Sequence, residues 1–98
     1  MNLSVSASAL QDVEEAAAYY DREKPGLGDE LADAFEAAAY RILARPEIGS
    51  PFWIGERKLV VRRFPYSVIY RVEAKTVFVL AFAHHRRKPG YWRDEKPG

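Results

Sequence analysis

Apolar and polar residues alternate at the start of the chain and then adopt a helical spacing. Residues 2–7 have the two-residue period of a strand whose one buried face would carry Leu3, Val5 and Ala7. Ser8 and Gln11 have the spacing of a capping box, so a helix is predicted to begin at Ser8. An apolar stripe at intervals of three and four residues would be its buried side: Leu10, Val13, Ala17 and Tyr20.

A second helix is predicted from about Leu27 to Ala44. The sequence Pro25-Gly26-Leu27-Gly28 breaks the first helix, and this connection is long enough only for a hairpin of two helices. The buried stripe of the second helix would consist of Leu31, Phe35, Ala38 and Ile42.

The second half of the chain is rich in β-branched and aromatic residues. We interpret Pro46–Gly55 as a loop, because it contains two prolines, two glycines and a serine. Three strands follow, separated by Pro65 and by a turn at Glu73–Lys75, which indicates an antiparallel meander. Their predicted ranges are Lys58–Arg63, Tyr66–Val72 and Thr76–His84.

The order β-α-α-β-β-β predicts an α+β fold in a single small domain over residues 1–98. Each element has one apolar side, so the helical hairpin should pack on one face of a mostly antiparallel, twisted sheet. The other sheet face should be open or covered by another molecule. A chain of 98 residues can bury one core without further support.

The composition narrows the possible chemistry. The absence of cysteine excludes disulfides, thiolate metal sites and a thiol nucleophile. No segment approaches the ~20 apolar residues of a membrane span, and the first residues do not resemble an export signal. We therefore expect a cytoplasmic protein that has no membrane partner.

Charge is distributed unevenly between the two halves. Residues 1–50 contain four basic and ten acidic side chains, a net charge of −6, whereas residues 51–98 contain eleven and four, a net charge of +7. An anionic partner for the second half is the expectation that follows. Such a partner could be RNA, but an acidic protein segment satisfies the same requirement.

Several short motifs, in this order, resemble the RelE/ParE toxin superfamily of bacterial type II toxin–antitoxin systems, also described as plasmid stabilisation proteins. They are the PGLG turn, Arg62–Tyr66 leading into Val68–Val72, and Ala83–Pro89 followed by Tyr91-Trp92. The resemblance implies a toxic surface on the open sheet face and a cognate antitoxin whose C-terminal segment covers that surface. It leaves two activities open, since RelE-like members cut messenger RNA on the ribosome and ParE-like members poison DNA gyrase.

One position separates these activities. RelE-like toxins carry a basic residue on the central strand, and Ser67 stands at the matching place. A hydroxyl cannot neutralise the charge that develops on a phosphoryl group. Arg71 lies on the same strand face, roughly 13 Å away, too far to replace it. We therefore predict a non-catalytic toxin that binds a protein such as gyrase.

Two alternatives stay open. If the chain is a messenger-RNA endonuclease, its catalytic residues would be Arg86, Arg71 and His85, acting without a metal. It could instead be a degenerate member that binds antitoxin and is no longer toxic. In each case a surface for the target or the antitoxin is expected, formed by Arg63, Ser67, Ile69, Arg71, Arg86, Arg87, Tyr91 and Trp53.

Some of these residues also have simpler interpretations. Arg63 and Arg71 could be solvated charges at strand edges. The pair His84-His85 suggests a metal site, but neighbouring strand residues point to opposite faces, so we expect no metal and no cofactor. Trp92 is expected to fold back and cap the core, as large aromatic residues after a last strand often do.

Overall fold

The computed structural model describes residues 1–88 and 90–93, except for the side chain of Arg93. Two helices pack on a five-stranded sheet, and a single 3-10 turn, Tyr91–Arg93, follows the last strand. The helices are α1 (Ala7–Glu23) and α2 (Leu27–Ala44). The strands are β1 (Asn2–Val5), β2 (Ser50–Trp53), β3 (Glu56–Val60), β4 (Tyr66–Glu73) and β5 (Thr76–His84).

The sheet has the order β1-β5-β4-β3-β2, so the N-terminal and C-terminal strands lie side by side. β1 pairs with β5 in parallel, with Leu3 opposite Val77, and the other three pairings are antiparallel. The predicted α+β class, helical hairpin and mostly antiparallel sheet are confirmed. Neither helix in the described part of the chain is long and apolar enough to cross a membrane.

The predicted loop at Pro46–Gly55 was wrong in part, because it contains the additional strand β2. Proline usually excludes a strand, but β2 is at the edge of the sheet, where a missing N–H leaves no ladder bond unmade. The turn before β2 is fixed by the Arg57 guanidinium, which donates from Nη1 to the carbonyl of Gly49 at 2.7 Å. β3 is shorter than expected and ends at Val60 instead of Arg63.

The first helix begins one residue earlier than the sequence suggested, and Ser8 is not its cap. The hydroxyl oxygen of Ser6 accepts a hydrogen bond from the Ala9 N–H at 3.0 Å, while the same hydroxyl lies 3.2 Å from the Leu80 carbonyl. The Ser6 side chain therefore caps α1 and also contacts β5. As a result, Ala7 is helical and exposed, and Leu10 is about half exposed.

α1 and α2 approach each other closely at Gly28. A Cβ atom at this position would lie 2.4 Å from the backbone oxygen of Ala17, so only glycine fits without a shift of α1. The Gly28 N–H donates to Asp21 Oδ1 at 2.8 Å, which fixes the start of α2 to the end of α1. Gly26, with φ of 92°, provides the left-handed residue that reverses the chain.

The core lies between the hairpin and the sheet. Leu31 and Ile42 of α2 pack there against Val68, Val77 and other buried strand residues. A β-bulge at Leu80 shifts the β4–β5 register, since Ile69 pairs with Ala81 and Tyr70 with Val79. On both sides of the bulge the alternation places Val77, Val79 and Phe82 toward the helices.

Candidate functional site

A cleft of about 120 Å³ lies on the sheet face opposite the helices, here called the helix-free face. Its floor is formed by β4 and β5, and its sides by the β2–β3 hairpin and by the segment that follows β5. The centre of this face was expected to be open. It is buried instead, because Phe52 of the unpredicted strand β2 and Trp92 lie over it, with ring centroids 6.0 Å apart. The cleft is lined by Phe52, Lys58, Ser67, Ile69, Ala83, His84, His85, Arg87, Lys88 and Trp92.

The polar centre of the cleft is a pair of side chains, Ser67 and His85. Ser67 lies opposite Ala83 in the sheet, and its side chain is buried. Its Oγ atom is 3.0 Å from His85 Nε2. His85 follows the last residue of β5, and its backbone N–H donates to the Pro65 carbonyl at 2.9 Å. The pair therefore shares one hydrogen bond of ordinary length at the end of the sheet.

Cationic residues line the same cleft as this pair. Lys58 of β3 places its Nζ atom 5.0 Å from the centroid of the Phe52 ring, a cation–π contact. Arg87 and Lys88 line the cleft on the other side. No acidic residue lines the cleft in the described part of the chain. The arrangement is suited to an anion, which could be a phosphate or a carboxylate.

The wall that contains Trp92 is fixed by Asp12 of α1. Asp12 Oδ2 accepts hydrogen bonds from the Tyr91 hydroxyl at 2.8 Å and from the Phe82 N–H at 3.1 Å. The Arg87 guanidinium lies over the Tyr91 ring, 3.8 Å from its centroid. These contacts join α1, β5 and the C-terminal turn, so the Trp92 side chain is positioned from the opposite side of the sheet.

Burial raises the pKa of Asp12 above its ordinary value of 3.8, and the hydrogen bonds from Tyr91 and Phe82 oppose that effect. A raised folded-state pKa means that the native protein binds the proton more tightly than the unfolded chain does. The stability that protonated Asp12 contributes is therefore fully present below pH 3.8 and is lost as the pH rises through the folded pKa.

Replacing Asp12 tests this connection. We expect Asp12→Ala to lower the free energy of unfolding by about 1–3 kcal/mol, because the Phe82 N–H and the Tyr91 hydroxyl lose their acceptor. Asp12→Asn is the matched control, since it keeps an oxygen acceptor and removes only the charge. Urea unfolding from pH 3 to 7 should show Asp12→Asn gaining stability relative to the wild type as the pH rises. A difference that stays constant over this range would contradict the assignment.

Comparison with known proteins identifies the family. A family model described as ParE toxin of type II toxin–antitoxin system, parDE, matches residues 3–89. The chain belongs to the ParE toxin family. This result confirms the resemblance to the RelE/ParE superfamily, and the matched residues include all of the quoted motifs except Tyr91-Trp92.

A solved structure agrees with the fold of the ParE family. A chain of the chromosomal ParDE toxin–antitoxin system from P. aeruginosa superposes with a TM-score of 0.78 and is 22% identical. The match covers 86% of the present chain and 95% of that chain. At this identity the similarity concerns the fold alone. A search of curated protein sequences gave no match.

The ParE fold places the predicted site residues in different environments, and those of strand β4 lie both inside and outside the cleft. Ser67 and Ile69 are almost fully buried and form part of the floor of the cleft. Arg71 lies outside it, in an ion pair with Glu73 at 3.1 Å and over the Phe78 ring. Contact with a target or antitoxin at these positions stays a prediction.

Arg63 lies on the helix side of the molecule. It donates from Nη2 to Glu30 of α2 at 2.9 Å, and both side chains are largely exposed. This surface ion pair agrees with the simpler interpretation of a solvated charge, and such pairs contribute little to stability. Arg63 and the cleft are therefore separate features of the surface.

The residues after β5 are divided between the cleft and solvent. Arg86 is exposed in the turn, where its backbone N–H donates to His84 Nδ1 at 3.0 Å, and it does not line the cleft. Arg87 does. Tyr91 is partly buried against Asp12, and Trp53 is exposed at the end of β2.

Both histidines line the cleft, but their rings make contacts on different sides of the sheet, which agrees with the prediction. His84 makes an edge contact with Tyr66 on the helix side, with centroids 5.0 Å apart, whereas His85 contacts Ser67 on the helix-free face. No group of three or more potential ligands that could bind a metal is found in the described residues. Trp92 was expected to fold back and cap the core. It folds back on the sheet, where it lines the cleft on the helix-free face and contacts Phe52, whereas the main core lies on the helix side.

Lys58 and Asp12, which the structure associates with the cleft, were not among the predicted site residues. Lys58 alternates with apolar Leu59 in a predicted strand, so its place on the helix-free face could have been found from the period of two. Nothing in the sequence pointed to Asp12, because its partners Phe82 and Tyr91 lie 70 and 79 residues away.

Proposed function

We propose that this chain is the toxin of a type II toxin–antitoxin pair, that a cognate antitoxin neutralises it, and that it inhibits growth by binding a protein target such as DNA gyrase. The observation that carries the proposal is the match of residues 3–89 to the ParE toxin family of parDE systems. The similar P. aeruginosa structure comes from a ParDE system and supports the same assignment.

The cleft supports binding in preference to RNA cleavage. The central strand carries Ser67 where RelE-like toxins have a basic residue. Arg71 forms an ion pair with Glu73 and does not line the cleft. An enzyme that lost one charged stabiliser would be slower by about 10²–10³-fold. Ser67 also shares a hydrogen bond with His85, which gives the pair a structural role.

A second candidate, messenger-RNA endonuclease, has one observation in its favour. Lys58, Ser67 and His85 line the same cleft, so a cation from the neighbouring strand could replace the missing one. His85 would then be the acid or base. Arg86, which the sequence suggested as the best replacement, does not line the cleft.

The antitoxin is expected to bind an apolar groove on the helix side. α1, α2 and β1 border a cavity of about 360 Å³, and three of its apolar residues, Leu3, Leu10 and Tyr40, are at least 40% exposed. β1 is also an edge strand of the sheet. An amphipathic helix placed in the groove, or a strand added at this edge, would cover that surface.

Growth assays test the proposed role. Induction of the unaltered chain in a bacterium should stop colony formation, and co-expression of the adjacent small open reading frame should restore it. A gene with a stop codon in place of Leu3 controls for the effect of the transcript alone. If the chain is harmless when expressed by itself, the toxin assignment fails and the degenerate alternative replaces it.

Transcript mapping distinguishes the two mechanisms in the same cells. Primer extension after induction should show no new cuts within translated messages. Cuts that depend on the chain would contradict the proposed mechanism in favour of the endonuclease. If those cuts disappear in Lys58→Met and persist in Arg86→Met, Lys58 in the cleft would be the cation that replaces the missing basic residue.

A further inference from the structure

We propose that the cleft on the helix-free face is a carboxylate-binding site that receives an acidic side chain from the antitoxin. The inference rests on the proposed function, because the antitoxin supplies the ligand. It adds a second contact, remote from the apolar groove between the helices, and it specifies the chemistry of that contact.

The charge of the cleft is the first argument. Lys58, Arg87 and Lys88 line one cavity whose described lining includes no acid. The Arg87 guanidinium lies over the Tyr91 ring, near Asp12, so the cationic side chains assigned to the cavity are Lys58 and Lys88. Within the described residues Lys58 makes no ion pair, and its ammonium lies over the Phe52 ring at 5.0 Å. A cation held on an aromatic face beside a cavity can pair with an anion that enters it.

Ser67 can provide the cleft with a hydrogen-bond donor whose direction is set by His85. Ser67 Oγ and His85 Nε2 are 3.0 Å apart, so a single hydrogen lies between them. When Nε2 carries that hydrogen, it donates to Ser67 Oγ, and the hydroxyl hydrogen of Ser67 can donate to a ligand. An anion in the cleft selects this arrangement, because it accepts from the serine and pairs with Lys58.

Size and lining favour a protein side chain over a nucleotide. A volume of about 120 Å³ is small beside the ~300–1,000 Å³ of pockets that enclose a drug-sized ligand. Ile69, Ala83 and the two aromatic rings leave an apolar wall around the polar centre. The methylene stem and carboxylate of a glutamate have this combination of apolar and charged surface. The nucleoside of an RNA unit would have to remain outside.

A titration with a defined peptide tests the site. The probe is acetyl-Ala-Glu-Leu-Glu-Ala-amide, with the peptide that has glutamine at both glutamate positions as its control, added to the ¹⁵N-labelled full-length chain. We expect saturable amide shifts at Ser67, Ile69 and His85, with a Kd of about 1 mM, and no saturation with the control peptide. Lys58→Met should weaken binding about tenfold, because a hydrogen-bonded charge pair is lost.

Arg71→Met is the matched variant, since it removes a cation from the same sheet face outside the cleft; its Kd should change less than twofold. Equal responses to both peptides, or no shifts at the cleft, would overturn the proposal. Tighter saturable binding of a six-nucleotide single-stranded RNA at the same amides would also overturn it, in favour of a nucleic-acid ligand. If the chain arrests growth but the peptide causes no amide shifts at the cleft, only this inference is refuted. If the chain is harmless but its cleft binds the peptide, only the proposed toxin role is refuted.

Discussion

Replacing Phe82 with alanine is expected to lower the free energy of unfolding by about 3–5 kcal/mol. Phe82 is almost fully buried, and its ring stacks on Tyr66 at 4.6 Å and meets Phe35 of α2 edge-to-face at 5.3 Å. The substitution leaves a cavity where β4, β5 and α2 meet. For a domain of this size the melting temperature should fall by at least ~12 °C, which thermal unfolding followed by circular dichroism measures.

Phe78→Ala is the matched control for this prediction. Phe78 lies on the same strand but on the helix-free face, is only partly buried, and has Arg71 over its ring at 5.3 Å. Its replacement should cost less than half as much, because fewer packed contacts are lost. Equal costs for the two variants would show that the core is not centred on the helix side of β5.

Tyr70→Ala should have an effect of similar size, about 3–5 kcal/mol, for a different reason. Its ring is fully buried, and its hydroxyl donates to the Pro46 carbonyl at 2.7 Å and accepts from the Gly49 N–H at 2.9 Å. Burial raises the pKa of Tyr70 above its ordinary value of 10.0, in the direction that favours the protonated hydroxyl. The substitution therefore removes both core volume and the attachment of the turn before β2.

Tyr70→Phe separates these two contributions. It keeps the ring and leaves the Gly49 N–H and the Pro46 carbonyl without this partner, so we expect a cost of about 1–3 kcal/mol. Tyr40→Phe, at an exposed position of α2, should change the stability by less than ~0.5 kcal/mol. Hydrogen exchange at Gly49 should accelerate in Tyr70→Phe. An unchanged rate would mean that the hydroxyl does not hold the turn.

Local signals were sufficient where one element determines its own limits. α2 begins at Leu27 and ends at Ala44 as predicted, because the glycine-containing turn and Pro46 delimit it and its stripe is regular. The capping of α1 was different, since both Ser6 and Ser8 are suitable residues. The choice of Ser6 depends on Leu80, which lies 74 residues away in sequence and next to Ser6 in the fold.

Strand β2 shows the same limitation. Pro51 and the neighbouring Gly49 and Ser50 indicate a loop locally, and only pairing with β3 at the sheet edge makes a strand of these residues. Because β2 carries Phe52, missing this strand also meant missing that the helix-free face is covered. The predicted open surface at Ser67 and Ile69 was therefore wrong about access, although the assignment of both residues to that face was confirmed.

The candidate site could be predicted in its parts but not in its assembly. A period of two placed Ser67 on one face of β4, and the same period put His84 and His85 on opposite sides of the sheet. The 3.0 Å contact between Ser67 and His85 depends on the register of β4 with β5, including the bulge at Leu80, which no local pattern reveals. The Asp12–Tyr91 bond that positions Trp92 likewise connects the two ends of the chain.

An in vitro supercoiling assay with purified DNA gyrase tests the central claim most directly. The chain, added in increasing amounts to gyrase, ATP and relaxed plasmid, should inhibit supercoiling or trap cleaved DNA, and prior addition of its antitoxin should prevent the effect. The chain denatured by heat before its addition provides the negative control. Unimpaired supercoiling by gyrase at a large excess of folded chain, together with cleavage of translated messages in induced cells, would contradict the account.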